Sequence, residues 1–147
     1  MDESVQMLLM LEDNAERIER FCAVLHAIDP ALELRVWRDA WKMIREVGPL
    51  LPMARLVSLD HDLDPEEGSI TDPGTGWDVT KVLAALPPYC PVIIHTSNGE
   101  RGTWMMGEFH LGGWEYHRVA ALGDDWIEAH WGPVVRRLLR RRRSSNR

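Results

Sequence analysis

The sequence of 147 residues predicts an α/β fold: a five-stranded, doubly wound parallel sheet with helices on both faces. Short apolar runs alternate along the chain with segments of helical periodicity. Polar clusters follow the first, third and fourth apolar runs directly, and open parallel sheets carry their sites at such strand ends. Five such units in a chain of this length indicate a single three-layer domain, for which the flavodoxin-like strand order is expected.

The elements follow from periodicity and from the Pro and Gly residues that interrupt it. Strands are predicted over residues 7–11, 33–37, 55–59 and 91–94, with a weak fifth over 116–121. Helices are predicted over residues 14–28, 40–47, 78–86, 101–109 and 124–143. Pro133 is expected to kink the last helix or to mark a break in it.

Composition restricts the class of protein. Hydrophobic residues make up 45% and charged residues 27%, as in ordinary soluble globular domains. No apolar run reaches the roughly 18 residues of a membrane span, and MDESVQMLLMLED lacks the features of a signal peptide. We therefore expect a cytoplasmic protein with no membrane partner. Cys22 and Cys90 are expected to be free thiols in the core.

The net charge of −6 is unevenly distributed, because residues 136–147 hold seven arginines. We therefore divide the chain into a domain over residues 1–135 and a basic C-terminal tail over 136–147 that ends the last helix. Cations at a helix C-terminus suit the macrodipole, which is one interpretation of the tail. The other is an electrostatic contact for nucleic acid.

Polar residues that follow three predicted strands should meet at the carboxyl edge of the sheet. They are Glu12, Asp13, Asp60, His61, Asp62, His95, Thr96, Ser97 and Asn98. His61 and His95 can serve as acid and base near neutral pH. Alternatively, His61 belongs to a buried ion-pair network and His95 is a hydrogen-bonded histidine at a strand end. Thr96 and Asn98 can bind phosphate oxygens or can simply cap the next helix.

The carboxylates would repel a phosphate, so a positive charge must offset them. One candidate is Mg²⁺ or Mn²⁺ held by Asp13 and Asp60, with Glu12 beside them. The other is protonation of His61 and His95, whose pKa values nearby carboxylates should raise. We favour the divalent cation, which would also act as a Lewis acid.

The order of these clusters resembles the receiver domains of response regulators. Glu12, Asp13, Asp60 and Thr96 match the positions that hold Mg²⁺, accept a phosphoryl group and supply a hydroxyl in that family. The family also needs a lysine at the end of the fifth strand. Here Lys42 and Lys81 are the only lysines, and both fall in predicted helices. A phosphoacceptor role for Asp60 is therefore the least favoured interpretation.

Three motifs are similar to those of the cyclic-phosphate processing receiver family: SLDHDLD, TGWDV at 75–79, and HTSN at 95–98 followed by Gly102 and Met105. The resemblance runs from about Leu8 to Met106, with Asp64 where glycine is usual and Thr96 where serine is usual. It implies a receiver-like domain that hydrolyses or binds cyclic phosphates at RNA ends, in RNA repair.

On this basis we predict a phosphoesterase that acts on cyclic phosphate ends, such as the 2′,3′-cyclic phosphates of RNA. Its catalytic residues would be His61, His95 and Asp60, with Thr96, Asn98 and Asp62 at the substrate. Glu12, Asp13 and Asp60 would be the metal ligands. The alternative is a non-catalytic receiver-like module that binds a nucleotide or a partner protein.

Two further features lie close in sequence to these motifs. The loop from Asp64 to Gly76 is expected either to cover the site or to be a plain surface loop. Most of the seven tryptophans should pack in the core. Trp77 and Trp104 are the two that could instead stack on a base.

Overall fold

Five parallel strands form one sheet in the order β2-β1-β3-β4-β5. The structure is a computed structural model that describes residues 5–145, with side chains up to Arg141. The strands are β1 Met7–Leu11, β2 Glu33–Trp37, β3 Ala54–Leu59, β4 Val92–Thr96 and β5 Tyr116–Ala120. The predicted five-stranded, doubly wound sheet is therefore confirmed, and its strand order is the flavodoxin-like one.

The helices connect these strands in regular alternation. They are α1 Ala15–Ile28, α2 Ala40–Glu46, α3 Gly76–Ala84, α4 Gly99–Leu111 and α5 Gly132–Ser145. A 3₁₀ turn over Gly48–Met53 precedes β3, and a π-helical turn over Ile127–Trp131 precedes α5. Among residues 5–145, no helix is both long and apolar enough to cross a lipid bilayer.

Alternation along β1 builds two cores, one on each face of the sheet. Met7, Leu9 and Leu11 pack with the buried side chains of α2, α3 and α4. Leu8 and Met10 face the other way and pack with those of α1 and α5. Because the same alternation applies to β3 and β4, each polar residue near a strand end is directed to one face or the other.

The last helix contains the break predicted at Pro133. The Gly132 N–H donates to the Ile127 carbonyl, five residues back, so a π-helical turn comes immediately before the proline. Pro133 has no N–H to continue the α-helical pattern. Beyond it, Leu138 and Leu139 are buried in the core, so the boundary drawn at residue 136 falls inside a packed helix.

The end of α5 lies at the amino edge of the sheet. Arg55, near the start of β3, donates to the Leu139 carbonyl, and Arg141 pairs with Glu115 just before β5. The arginines of the predicted tail up to Arg141 are therefore at the edge opposite the polar strand ends. The side chains of residues 142–147 lie outside the described part of the chain.

Two local predictions were wrong. The third helix, predicted to begin at Asp78, begins two residues earlier: Thr75 is the N-cap and Asp78 completes a capping box with it. Cys22 is exposed rather than in the core, because it lies one position away from the buried Phe21 on α1. Cys90 is buried, and neither cysteine forms a disulfide bond.

Candidate functional site

The ends of β1 and β3 bring three carboxylates together. Glu12, Asp13 and Asp60 each offer an oxygen within 4.8 Å of the others. Glu12 is fully buried, Asp60 is 5% exposed and Asp13 is half-buried. Hard divalent cations such as Mg²⁺ and Mn²⁺ prefer carboxylate oxygens, so this donor set fits the predicted cation.

The same three carboxylates are electrostatically costly without a cation. Burial raises the pKa of Asp60 to about 7; the charge of His95 opposes this rise, and Glu12 and Asp13 add to it. Burial also raises the pKa of Asp13, opposed by the Asp64 N–H and supported by Glu12. A cation bound here would therefore relieve repulsion that the protein already contains.

His95 is fully buried beneath this cluster. Its Nε2 lies 3.0 Å from Glu12 Oε1, and its Nδ1 lies 2.7 Å from Ser58 Oγ. The Trp131 indole N–H also donates to Ser58 Oγ, at 3.0 Å. Both ring nitrogens of His95 thus have protein partners, and the ring does not reach the surface.

The buried pair keeps Glu12 ionised. Burial alone would raise the pKa of Glu12, but the hydrogen bond and charge of His95, the Asn14 N–H and Arg17 together hold that pKa below its usual range. Arg17 Nη1 is 3.9 Å from Glu12 Oε2. His95 therefore acts on the carboxylate cluster through Glu12. The predicted acid–base role of His95 would require direct contact with substrate, and this geometry does not provide that contact.

His61 follows Asp60 directly after the end of β3. It is 6% exposed, and its Nδ1 lies 2.7 Å from Asp62 Oδ1. The backbone N–H of His61 donates to Asp60 Oδ1 at 2.7 Å, which fixes the Asp60 carboxylate. Its carbonyl accepts from the Gly76 N–H at 2.9 Å.

Gly76 is required by this contact between β3 and α3. A Cβ at this position would lie 1.9 Å from the Asp60 carbonyl oxygen. The glycine of the TGWDV motif therefore lets the first turn of α3 approach the backbone that carries Asp60 and His61.

An open cavity of about 490 Å³ lies over the cluster. The polar side chains that line it are Asp13, Asn14, Arg17, Arg38, Asp60, Asp62, Asp64, Glu66, Glu67 and Ser97. Neither His61 nor His95 lines it. Its wall is mainly acidic, and the two arginines are its cations.

The sequence prediction missed these two arginines, although their places could have been inferred. Arg38 is the first residue after β2, and Arg17 is in the first turn of α1, so both lie at the carboxyl edge of the sheet. It also missed Ser58, which alternation along β3 places on the same face as Asp60.

Thr96 and Asn98 use their side-chain oxygens locally. Thr96 Oγ1 accepts from the Asn98 N–H at 3.1 Å, and Asn98 Oδ1 accepts from the Arg101 N–H at 3.0 Å, so Asn98 is the N-cap of α4. Thr96 is 1% exposed. Ser97, between them, is exposed and lines the cavity.

The loop after β3 forms one wall of the cavity. Asp64 and the two glutamates that follow line it, and the Asp64 N–H donates to Asp13 Oδ2 at 2.6 Å. At the far end of the loop, the Ala40 N–H donates to the Pro73 carbonyl and the Trp41 indole donates to the Asp72 carbonyl. The loop is thus attached at both ends, to β1 and to α2.

Comparison with solved structures supports the fold. The response regulator domain of Thermotoga maritima CheB is 15% identical, with a TM-score of 0.64, and the match covers 94% of this chain and 96% of that one. A CheY-like receiver domain protein of Methanospirillum hungatei JF-1 is 13% identical, with a TM-score of 0.65 and coverages of 96% and 99%. The Mn²⁺-bound form of response regulator Rcp1 is 22% identical, with a TM-score of 0.58 and coverages of 86% and 94%.

A search of curated proteins found no match. The model of the family described as "Cyclic-phosphate processing Receiver domain" matches residues 7–110, which run from β1 to the last turn of α4 and include every residue of the carboxylate cluster. The chain therefore belongs to the cyclic-phosphate processing receiver domain family.

Proposed function

We propose that this protein is a phosphoesterase that opens cyclic phosphate ends of RNA, such as 2′,3′-cyclic phosphates. The observation that carries the proposal is the cluster of Glu12, Asp13 and Asp60, of which Asp13 and Asp60 line an open cavity together with Arg17 and Arg38. Guanidinium groups bind phosphate oxygens in a planar, bidentate manner. The family description, which names cyclic-phosphate processing, agrees with this chemistry.

Asp13, Asp60 and Glu12 would hold Mg²⁺ or Mn²⁺. Such an ion, when bound, would polarise a phosphoryl oxygen and neutralise the acidic wall. A receiver of the same fold has been solved in a Mn²⁺-bound form. His95 serves as a positioning residue, because its hydrogen bond and charge keep Glu12 ionised and oriented.

His61 is the proton donor in this proposal, which requires the substrate to reach a ring that is 6% exposed and does not line the cavity. Its Nδ1 is engaged by Asp62, which orients the ring and leaves Nε2 for proton transfer. Water attacks phosphorus, the bond from phosphorus to one ribose oxygen breaks, and His61 protonates that departing oxygen. The proton that the water loses passes to a carboxylate of the cavity wall.

In this proposal, the side chains after β4 contact the substrate in a different way from that predicted from the sequence. Asn98 Oδ1 is used as a helix cap, so the Asn98 amide nitrogen is the part of this side chain that can donate to a phosphate oxygen. Thr96 is buried and fixes the turn, whereas Ser97 presents its hydroxyl to the cavity.

The test is hydrolysis of a short RNA with a 2′,3′-cyclic phosphate end in Mg²⁺, Mn²⁺ or EDTA. Wild type should open the ring with a divalent cation and not in EDTA. His61→Asn should lower the rate by 10²-fold or more, about the range of general acid catalysis. Leu111→Ala, a change at an exposed residue at the end of α4, is the matched control. Equal rates for wild type and His61→Asn would remove His61 from the mechanism.

A second candidate is a non-catalytic module that binds a nucleotide or a partner protein. It is favoured by one observation: neither His61 nor His95 lines the cavity. Under this alternative the wild type would bind a cyclic nucleotide without turnover in any metal.

The phosphoacceptor role for Asp60 remains the least favoured. Lys42 and Lys81 lie in α2 and α3, and β5 ends at Ala120 without a lysine. Tight, Mg²⁺-dependent binding of beryllofluoride, an acyl-phosphate mimic, would revive that role.

A further inference from the structure

Two tryptophans and two cations form a surface patch on α3 and α4, which we call the tryptophan patch: Trp77, Lys81, Arg101 and Trp104. The rings of Trp77 and Trp104 meet edge to face, with centroids 5.6 Å apart. The Arg101 guanidinium lies over the Trp104 ring, 4.1 Å from its centroid, and Lys81 Nζ is 5.8 Å from the centroid of Trp77. The packing of α3 against α4 therefore brings Trp77 and Lys81 together with Arg101 and Trp104, which lie some twenty residues further along the chain.

Core packing explains Trp77 but not Trp104. Trp77 is partly buried and packs against the core formed with α2, α3 and α4. Trp104 keeps 40% of its surface exposed even with Arg101 over its ring. Within the described part of the chain, Arg101 makes no ion pair with a carboxylate, whereas Lys81 is 3.7 Å from Asp78. An exposed indole with an unneutralised guanidinium is thus the centre of the patch.

The patch begins next to the candidate site. Trp77 follows Gly76, whose N–H bonds to the His61 carbonyl. Arg101 is in the first turn of α4, whose N-cap Asn98 follows the cavity residue Ser97. These links place the patch beside the carboxyl ends of β3 and β4, so a ligand at the end of β3 can continue onto the patch.

The chemistry of the patch differs from that of the cavity. The cavity wall is mainly acidic, whereas the patch combines aromatic rings with cations. Aromatic rings and guanidinium planes stack on nucleobases, and the cations pair with backbone phosphates. A single-stranded nucleic acid offers both groups at each nucleotide, so charge and stacking together favour it over an acidic peptide.

We propose that the tryptophan patch binds the nucleotides that precede the reacting end of a single-stranded RNA. The inference rests on the proposed function for the identity of that end. Trp104 and Arg101 supply the stacking surface and a phosphate contact, while Lys81 adds a second cation. The patch gives the protein its preference for an RNA strand over a free cyclic mononucleotide.

The test is the affinity of a 5′-labelled hexaribonucleotide with a 3′-hydroxyl end, measured by fluorescence anisotropy in EDTA. Because this RNA has no cyclic phosphate and the metal is removed, binding is measured even if the protein never turns over. Trp104→Ala and Arg101→Gln should each weaken binding about tenfold. Trp104→Phe, which keeps an aromatic ring, should retain most of the affinity.

Two control variants match these changes. Leu111→Ala truncates another exposed apolar side chain of α4, and Arg35→Gln removes the same charge from the distant edge strand β2. Both should bind as wild type does. The proposal is overturned if wild type does not bind, if Trp104→Ala binds as wild type does, or if the controls weaken binding as much as the patch variants. If wild type hydrolyses the cyclic end but Trp104→Ala binds RNA as tightly as wild type does, the role of the patch is overturned and the proposed function stands.

Discussion

At the scale of single residues, His95 and Glu12 form a fully buried pair. Replacing one member leaves the other without its partner in a place that water does not reach, which costs about 3 kcal/mol or more. We therefore expect His95→Leu to lower the free energy of unfolding by about 3 kcal/mol at pH 7, measured by urea denaturation. Ser58→Ala removes the hydroxyl between the same ring and the Trp131 indole and leaves the buried indole N–H without an acceptor, so it should cost about 1–3 kcal/mol.

The double variant separates pairing from packing. Adding Glu12→Gln to His95→Leu should restore part of the lost stability, because the buried carboxylate is then neutral. If the losses of unfolding free energy in the two single variants simply add up in the double variant, Glu12 and His95 are not coupled.

The pKa of Asp60 predicts how stability depends on pH in the metal-free protein. Because burial raises this pKa from 3.8 to about 7, the folded state keeps a proton between about pH 4 and 7 that the unfolded chain has lost. The free energy of unfolding should therefore fall as pH rises through this window, by up to roughly 4 kcal/mol. Glu12 acts in the opposite sense: its pKa is lowered, so its stabilisation is lost only as pH falls below the ordinary glutamate value of 4.5.

Urea denaturation at pH 5 and pH 8 in EDTA measures this dependence. Asp60→Asn should make the free energy of unfolding less dependent on pH, and this variant should be more stable than wild type at pH 8. Mg²⁺ should stabilise wild type at pH 8, because it binds the ionised carboxylates of the folded state. A wild-type curve that rises from pH 5 to pH 8 in EDTA would show that Asp60 does not titrate as described.

At the scale of elements, the contact between α3 and β3 depends on Gly76. A Cβ there would meet the Asp60 backbone, so Gly76→Ala must displace either the helix or the strand end. We expect a loss of about 3 kcal/mol, at the upper end for overpacking, together with weaker Mg²⁺ binding. Thermal and urea denaturation measure the first effect, and a Mg²⁺ titration the second.

Gly99→Ala is the matched control, because Gly99 begins α4 and a Cβ there meets nothing within 4 Å. It should be neutral or slightly stabilising. If both alanine variants had the same stability, close approach at Gly76 would not be the reason for the glycine.

Element boundaries show where sequence patterns are sufficient. The ranges of β1 and β2 were predicted as the structure has them, because continuous or alternating apolar residues define them. The start of α3 was missed because Thr75 and Asp78 can both cap a helix, and only the contact with Asp60 decides between them. The π-helical turn is defined by backbone hydrogen bonds, such as that from the Gly132 N–H to the Ile127 carbonyl, which side-chain periodicity does not report.

At the scale of the whole molecule, strand order determines which polar residues meet. The carboxylate cluster could be predicted because β1 and β3 are neighbours whose carboxyl ends share one edge. The burial of His95 could not be predicted from its position at a strand end. It depends on Phe21 and Trp126, from α1 and the segment before α5, which pack against the ring.

The arginines of α5 lie at the opposite edge of the sheet from the cluster. Since the Debye length is about 8 Å at physiological ionic strength, their charge is screened from the site. Replacing Arg137 and Arg140 with Gln should therefore leave the Mg²⁺ affinity of the cluster unchanged within about twofold in 0.15 M salt, as measured by calorimetric titration. A several-fold change would mean that the two edges are coupled.

We propose that the edge formed by Glu12, Asp13 and Asp60 opens cyclic phosphates. The most direct measurement is the single-turnover loss of a 2′,3′-cyclic end from a short RNA, in Mg²⁺ and in EDTA, by wild type and Asp60→Asn. We predict opening by wild type in Mg²⁺, none in EDTA, and a rate at least 10²-fold lower for Asp60→Asn. Inert wild type in every divalent cation, or an Asp60→Asn variant as fast as wild type, would contradict the claim.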